Sequence, residues 1–104
     1  MFRASLERYD YTIMEIILKN ITEEIVLKKI DILLDNIDCC KCEQCRMDIA
    51  SYALNRLPAK YVATTQGTLL SRLEIFESQY NVAVTAAITQ GAMVVKEHPH
   101  HSDL

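Results

Sequence analysis

The chain has 104 residues, half of them hydrophobic and 24% charged, with two glycines, two prolines and no tryptophan. That length holds one domain whose core is only marginally self-sufficient, and so few chain breakers exclude an architecture of many short strands and turns. A formal net charge of −3 gives no bulk attraction to nucleic acid or acidic membranes.

Met1–Asp10 is mixed polar, with Arg3, Glu7, Arg8 and Asp10, and does not read as a secretion signal. Met14, Ile17, Leu18, Ile21 and Ile25 recur at three- and four-residue intervals, the pattern of one buried helical face. Asn20 and Glu23 have capping-box spacing, so a first helix over roughly 6–19 is expected to give way to a second starting there. Val26, Ile30, Leu33 and Ile37 continue the apolar stripe, while Lys28, Lys29, Asp31 and Asp35 face water. This helix stops near Ile37. A short helix is expected at about 46–57, with Met47, Ala50, Leu54 and Leu57 on its inner face, Asp48 in its first turn and Pro58 ending it. Residues 58–67, PAKYVATTQG, form a connection with a brief extended piece at Tyr61–Ala63.

The last element, about Thr68–Val95, carries Leu69, Leu73, Phe76, Tyr80, Ala83 and Ala87 in alternating steps of four and three. A helix of that length runs about 40 Å, longer than a compact domain of this size is wide. Part of it is therefore expected to pack on another chain, and the alternative is a break near Asn81 or Gly91. The stretch VAVTAAITQGAMVV (82–95) is interrupted by Thr85, Thr89, Gln90 and Gly91, short of the ~20 apolar residues of a membrane span. The expected architecture is a small all-α domain over 1–97, with 1–19 as an additional N-terminal helix and 98–104 as a flexible tail. A soluble, cytoplasmic protein is expected.

All four cysteines lie in "DCCKCEQCRMD" (38–48), at Cys39, Cys40, Cys42 and Cys45. Disulfides suit secreted proteins, and bonding the neighbours Cys39 and Cys40 strains the ring they would close. Redox catalysis uses one CxxC, whereas two overlap here with a further thiol between them. Four thiolates on a short irregular segment suit one tetrahedral zinc at Zn–S distances near ~2.3 Å. Lys41 and Arg46 offer counter-charge, and the start of the next helix stabilises the Cys45 thiolate. A closed four-thiolate set leaves no position for substrate, so such a metal is structural, stapling one helix to the next where core area is scarce.

With "NITEEIV", "CCKCEQCRMDIA", "ALNRLPAKYV" and "TTQG" in view, residues 18–95 resemble the late competence development protein ComFB family of bacteria. Ala59 departs from the LPP more usual there, and the N-terminal segment and HPHH tail lie outside the pattern. The resemblance implies a small all-helical homodimer with structural zinc. It also implies a link to competence, and in some members a receptor role for cyclic di-GMP or cyclic di-AMP in control of motility or competence. The alternative is a structural adaptor in DNA uptake that binds a downstream protein and no nucleotide.

A cyclic dinucleotide needs cations, donors and stacking surfaces, and residues 52–65 offer Tyr52, Asn55, Arg56, Lys60, Tyr61, Thr64 and Thr65. Arg56 pairs with phosphate or stacks on a purine, and Tyr61 stacks. The same residues also suit structural duties, Arg56 as a helix C-terminal charge and Asn55 as a cap. His98, His100 and His101 fall in the polar tail. Glu23 with Glu24, and Glu74 with Glu77, read as solvated helix faces. No Ser–His–Asp set, phosphate loop or His–carboxylate set is present, so neither an enzyme nor direct DNA or membrane binding is expected.

Overall fold

The structure, a computed structural model, describes residues 15–99. Most of the helix expected over 6–19 lies outside these residues, and its described end is not helical. Strand β1 (Ile16–Asn20) leads directly into helix α1 (Ile21–Leu34). Helix α2 (Glu43–Leu54), strand β2 (Tyr61–Thr65) and helix α3 (Gln66–Glu97) follow. β1 and β2 pair antiparallel, with Leu18 opposite Ala63 and Asn20 opposite Tyr61.

The fold is therefore mostly helical with a two-stranded sheet, not all-α. The period misleads because Ile17, Ile21 and Ile25 are four apart yet span two elements. Within β1 the side chains alternate: Ile17 packs on the core, while Ile16 and Leu18 are 64% and 71% exposed. Asn20 starts α1 as expected, but its carboxamide oxygen takes the Thr22 amide at 3.2 Å as well as the Lys60 amide at 2.9 Å. One side chain thus caps the helix and ties the connection before β2 onto it.

Ile21, Ile25, Val26, Ile30 and Leu34 of α1 are buried against α2 and α3. Helix α2 begins three residues earlier than expected, with Cys42 as its N-cap, so Asp48 lies in its second turn. Its buried residues are Cys45, Ile49, Ala50 and Ala53, and Met47 is exposed. Of the expected stripe, Ala50 is buried and Leu54 and Leu57 pack half-buried on the core, while Met47 gives way to Cys45 and Ile49, one turn apart.

Helix α3 is one unbroken rod of 32 residues, about 48 Å long, in a molecule of 53 × 33 × 21 Å. Gly91 does not interrupt it. A Cβ there would come within 3.1 Å of both the Ile49 carbonyl oxygen and the Tyr52 ring, so the glycine lets α2 and α3 cross closely. The expected seam of α3 turns inward at its ends: Leu69, Leu73 and Ala87 are buried within this chain. Lys28 and Lys29 of α1 grip the Glu77 carboxylate of α3 at 3.0 and 3.3 Å.

Candidate metal centre and ligand groove

The cysteine segment joins α1 to α2 and is held from several sides. Across its ends, Asp31 of α1 and Arg46 of α2 form a forked ion pair, with Nε to Oδ1 at 2.5 Å and Nη2 to Oδ2 at 3.1 Å. This guanidinium bond holds the Asp31 carboxyl below the usual carboxylate range. Lys41 donates to the carbonyls of Ile37 and Cys39 at 2.9 and 3.2 Å. Both expected counter-charges therefore have structural partners of their own. Asp31, read from sequence as a solvated charge, is the residue sequence reasoning missed. Its only signal is that it precedes Arg46 by a helix end and a loop.

The sulfurs of Cys40, Cys42 and Cys45 lie within 4.8 Å of one another. Two ligands of a tetrahedral zinc–thiolate site sit about 3.8 Å apart, so a contraction of ~1 Å or less would bring all three onto one ion. The backbone contributes as well. Cys42 caps α2, and its sulfur accepts the Cys45 amide at 3.4 Å. Such an N–H bond, at the positive end of a helix, favours thiolate charge. Burial, followed by the hydrogen bonds that the Cys45 thiol donates to Cys42 and Cys40, pushes it up to about 12, so without metal it stays neutral at ordinary pH. The donor set fits a thiophilic divalent metal such as zinc. These three residues would hold it and join the loop to the start of α2.

Cys39 stands outside that triad. It is half-buried, packs against the hydrophobic core, and lines a small recess with Cys40, Cys45, Ile49 and Val95. The four-thiolate expectation thus becomes three converging thiols with a fourth alongside.

The residues proposed for ligand binding do not converge on one point. Asn55 is the C-cap of α2, its amide donating to the Ser51 carbonyl. Arg56 is exposed, with its guanidinium carbon 3.5 Å from the centre of the Tyr52 ring. It faces Ala83, Ala86, Thr89, Gln90 and Met93 of α3 across an open groove of ≈590 Å³. Lys60 lies in another recess, its ammonium 5.2 Å from the Phe76 ring centre. Tyr61 is exposed on β2 opposite Asn20. Thr64 is only 6% exposed and its hydroxyl contacts that of Thr68 at the start of α3, so it is a buried group at the junction of β2 and α3. Thr65 is the N-cap of α3. His98 closes α3 through its amide, while His100 and His101 lie outside the described residues. No helix among the described residues is long and apolar enough to cross a membrane.

The model of the family described as late competence development protein ComFB matches residues 19–99. The chain belongs to the ComFB family. It is 31% identical over 85 residues to the competence protein ComFB of Bacillus subtilis strain 168, covering 80% of this chain and 85% of that one. A solved structure of the late competence protein ComFB from Bacillus subtilis superposes with a TM-score of 0.70 at 26% identity, over 85% of this chain and all of the other. The ComFB match takes in both the cysteine segment and the whole of α3.

Proposed function

We propose that this ComFB-family protein is a non-enzymatic regulatory module, zinc-stapled and homodimeric, that receives a cyclic dinucleotide in control of competence or motility. The observation that carries the reading is the groove beside Arg56. Its ≈590 Å³ suit a ligand of two purines and two phosphates. Ala83, Ala86 and Ala87 make a low wall on which a flat base lies closely, and Thr89 and Gln90 supply polar groups for base edges. Arg56, steadied on Tyr52, supplies the planar fork a phosphate pairs with. The staple acts at a distance, fixing the start of α2, whose far end carries Tyr52 and Arg56.

A second copy fits the outer side of α3, where Ile75 and Val82 stand 58% and 81% exposed. The exposed Met93 continues that line into the groove, so a partner packed along it would form a further wall. Calorimetric titration of metal-loaded protein with cyclic di-GMP and cyclic di-AMP tests the receptor reading. Saturable heat with one of them, absent with linear pGpG, is expected. No heat with either leaves the adaptor reading, in which the exposed apolar line of α3 docks a competence protein.

A further inference from the structure

We propose that the recess beside Lys60, distinct from the Arg56 groove, is a binding site for a small aromatic carboxylate. The recess has a volume of ≈130 Å³ and walls from Ile21, Ile25, Leu57, Phe76, Tyr80 and Val84. An apolar cavity of about 150 Å³ accepts one benzene ring, so the space matches a single ring. Phe76 and Tyr80 stack at 6.1 Å with their planes 19° apart, presenting aromatic surface against which a further ring packs edge or face.

The cavity is preformed. Its third wall, the Pro58–Lys60 connection, is bound to the start of α1 at three points. The Thr22 hydroxyl donates to the Pro58 carbonyl at 2.8 Å, the Ile21 amide to the Lys60 carbonyl at 2.6 Å, and the Lys60 amide to Asn20 at 2.9 Å. A ligand therefore meets backbone groups already matched, with little ordering left to do on binding. The other lining residues with polar side chains are Tyr80 and Lys60, the ammonium of the latter 5.2 Å from the Phe76 ring centre.

Charge decides the class of ligand. Lys60 is held over the Phe76 ring and has no carboxylate within ion-pair distance among the described residues. Two acids on the helices that wall the recess are engaged elsewhere: Glu24 of α1 with Lys19 at 3.7 Å, and Glu77 of α3 with Lys28 and Lys29. Glu23 lies in the first turn of α1, where its charge complements the positive end of the helix dipole. An apolar pocket with one available cation at its rim selects an apolar body with a single negative charge over neutral or cationic analogues. This site is independent of the cyclic dinucleotide reading.

The test is a two-dimensional NMR titration of the metal-loaded full chain with benzoate, benzyl alcohol and benzylamine. Benzoate is expected to shift the methyl signals of Ile21, Ile25 and Val84, with a dissociation constant on the order of 1 mM for so small a ligand. Benzyl alcohol is expected to bind about tenfold more weakly, and benzylamine more weakly still. Lys60→Met, at an exposed position, should keep the fold and bring benzoate down to the level of benzyl alcohol. Arg56→Ala should leave benzoate binding unchanged. The proposal is overturned if benzoate leaves those methyls unmoved, if Lys60→Met binds it as tightly as the wild type, or if Arg56→Ala abolishes binding.

Discussion

The guanidinium of Arg56 lies flat against one side of the Tyr52 ring, 3.5 Å from its centre, while Gly91 of α3 comes close to the same ring at its edge. The tyrosine is fixed by the helix crossing, and the arginine is fixed by the tyrosine. An exposed arginine is thereby preorganised at the groove without an acidic partner to quench it, since no ion pair to Arg56 is present among the described residues.

Arg56→Ala should therefore weaken cyclic dinucleotide binding about tenfold to a hundredfold, the size of one charge-assisted contact of ~1.5–3 kcal/mol. Arg56→Lys should recover only part of that, because an ammonium lacks both the planar fork and the stacking on Tyr52. Lys60→Ala should stay near wild type, since Lys60 lines the other recess. Calorimetry on the three variants gives the ranking, and equal losses at Arg56 and Lys60 would refute the groove.

The metal site makes its own ranking. Cys40, Cys42 and Cys45 converge and Cys39 does not, so Cys42→Ser should lose the metal together with much of the cooperative melt. Cys39→Ser should retain close to one zinc per chain. Elemental analysis after gel filtration, with thermal melts alongside, measures both. Equal metal loss in the two variants would show that four thiolates are required.

How far these features were legible in the sequence depends on how local their causes are. The end of α1, the cysteine cluster, the second strand and the rod-like α3 all follow from residues within a few positions of one another. β1 does not: Ile16–Asn20 is a strand because Tyr61–Thr65, far along the chain, supplies its partner. The inner face of α2 is legible in Ala50, Leu54 and Leu57 but not at Cys45, whose residue type points to a ligand and does not disclose that it is also a buried wall residue. Thr64 looked available because its type is polar, whereas the pleat turns it inward toward Thr68. Asp31 paired with Arg46 needs two helices in place before it can be seen.

Acid should loosen the junction of α1 and α3. Hydrogen bonding from Lys28, opposed by some burial and assisted by Lys29, lowers the Glu77 carboxyl from its ordinary 4.5. Its folded-state value lies below the unfolded one, so the stabilisation is present above that ordinary value and is lost as pH falls through the lowered one. Melting temperature followed from about pH 6 to pH 3 should fall less steeply in Glu77→Gln than in the wild type. At neutral pH the variant should cost only ~0.5–1 kcal/mol, because both lysines are partly in water.

Gly91 should tolerate no branched side chain. A Cβ already meets the Ile49 carbonyl oxygen and the Tyr52 ring at 3.1 Å, and the first of these is backbone that cannot rotate away. Gly91→Val is expected to lower stability by about 2–3 kcal/mol, despite the general advantage of replacing glycine in a helix. Denaturant unfolding measures this, and the displaced Tyr52 should weaken dinucleotide binding in the same variant.

The homodimer gives the last test. Leu73 and Val84 mark the inward side of α3, and the helical repeat places Ile75 and Val82, seven residues apart, on the opposite side. Large apolar side chains left in water on a 32-residue rod are the surface a second copy would cover. Light scattering of the wild type should give twice the chain mass of 11.9 kDa. Val82→Asp should give the single mass, since a carboxylate buried in that contact without a partner costs several kcal/mol, about the margin of a modest interface. The exposed position of Val82 in the single chain means that the variant should retain its helical circular dichroism and its zinc, so that a change of mass reports assembly and not unfolding. A monomeric wild type at micromolar concentration would remove the dimer from the proposal and leave the Arg56 groove to act within one chain.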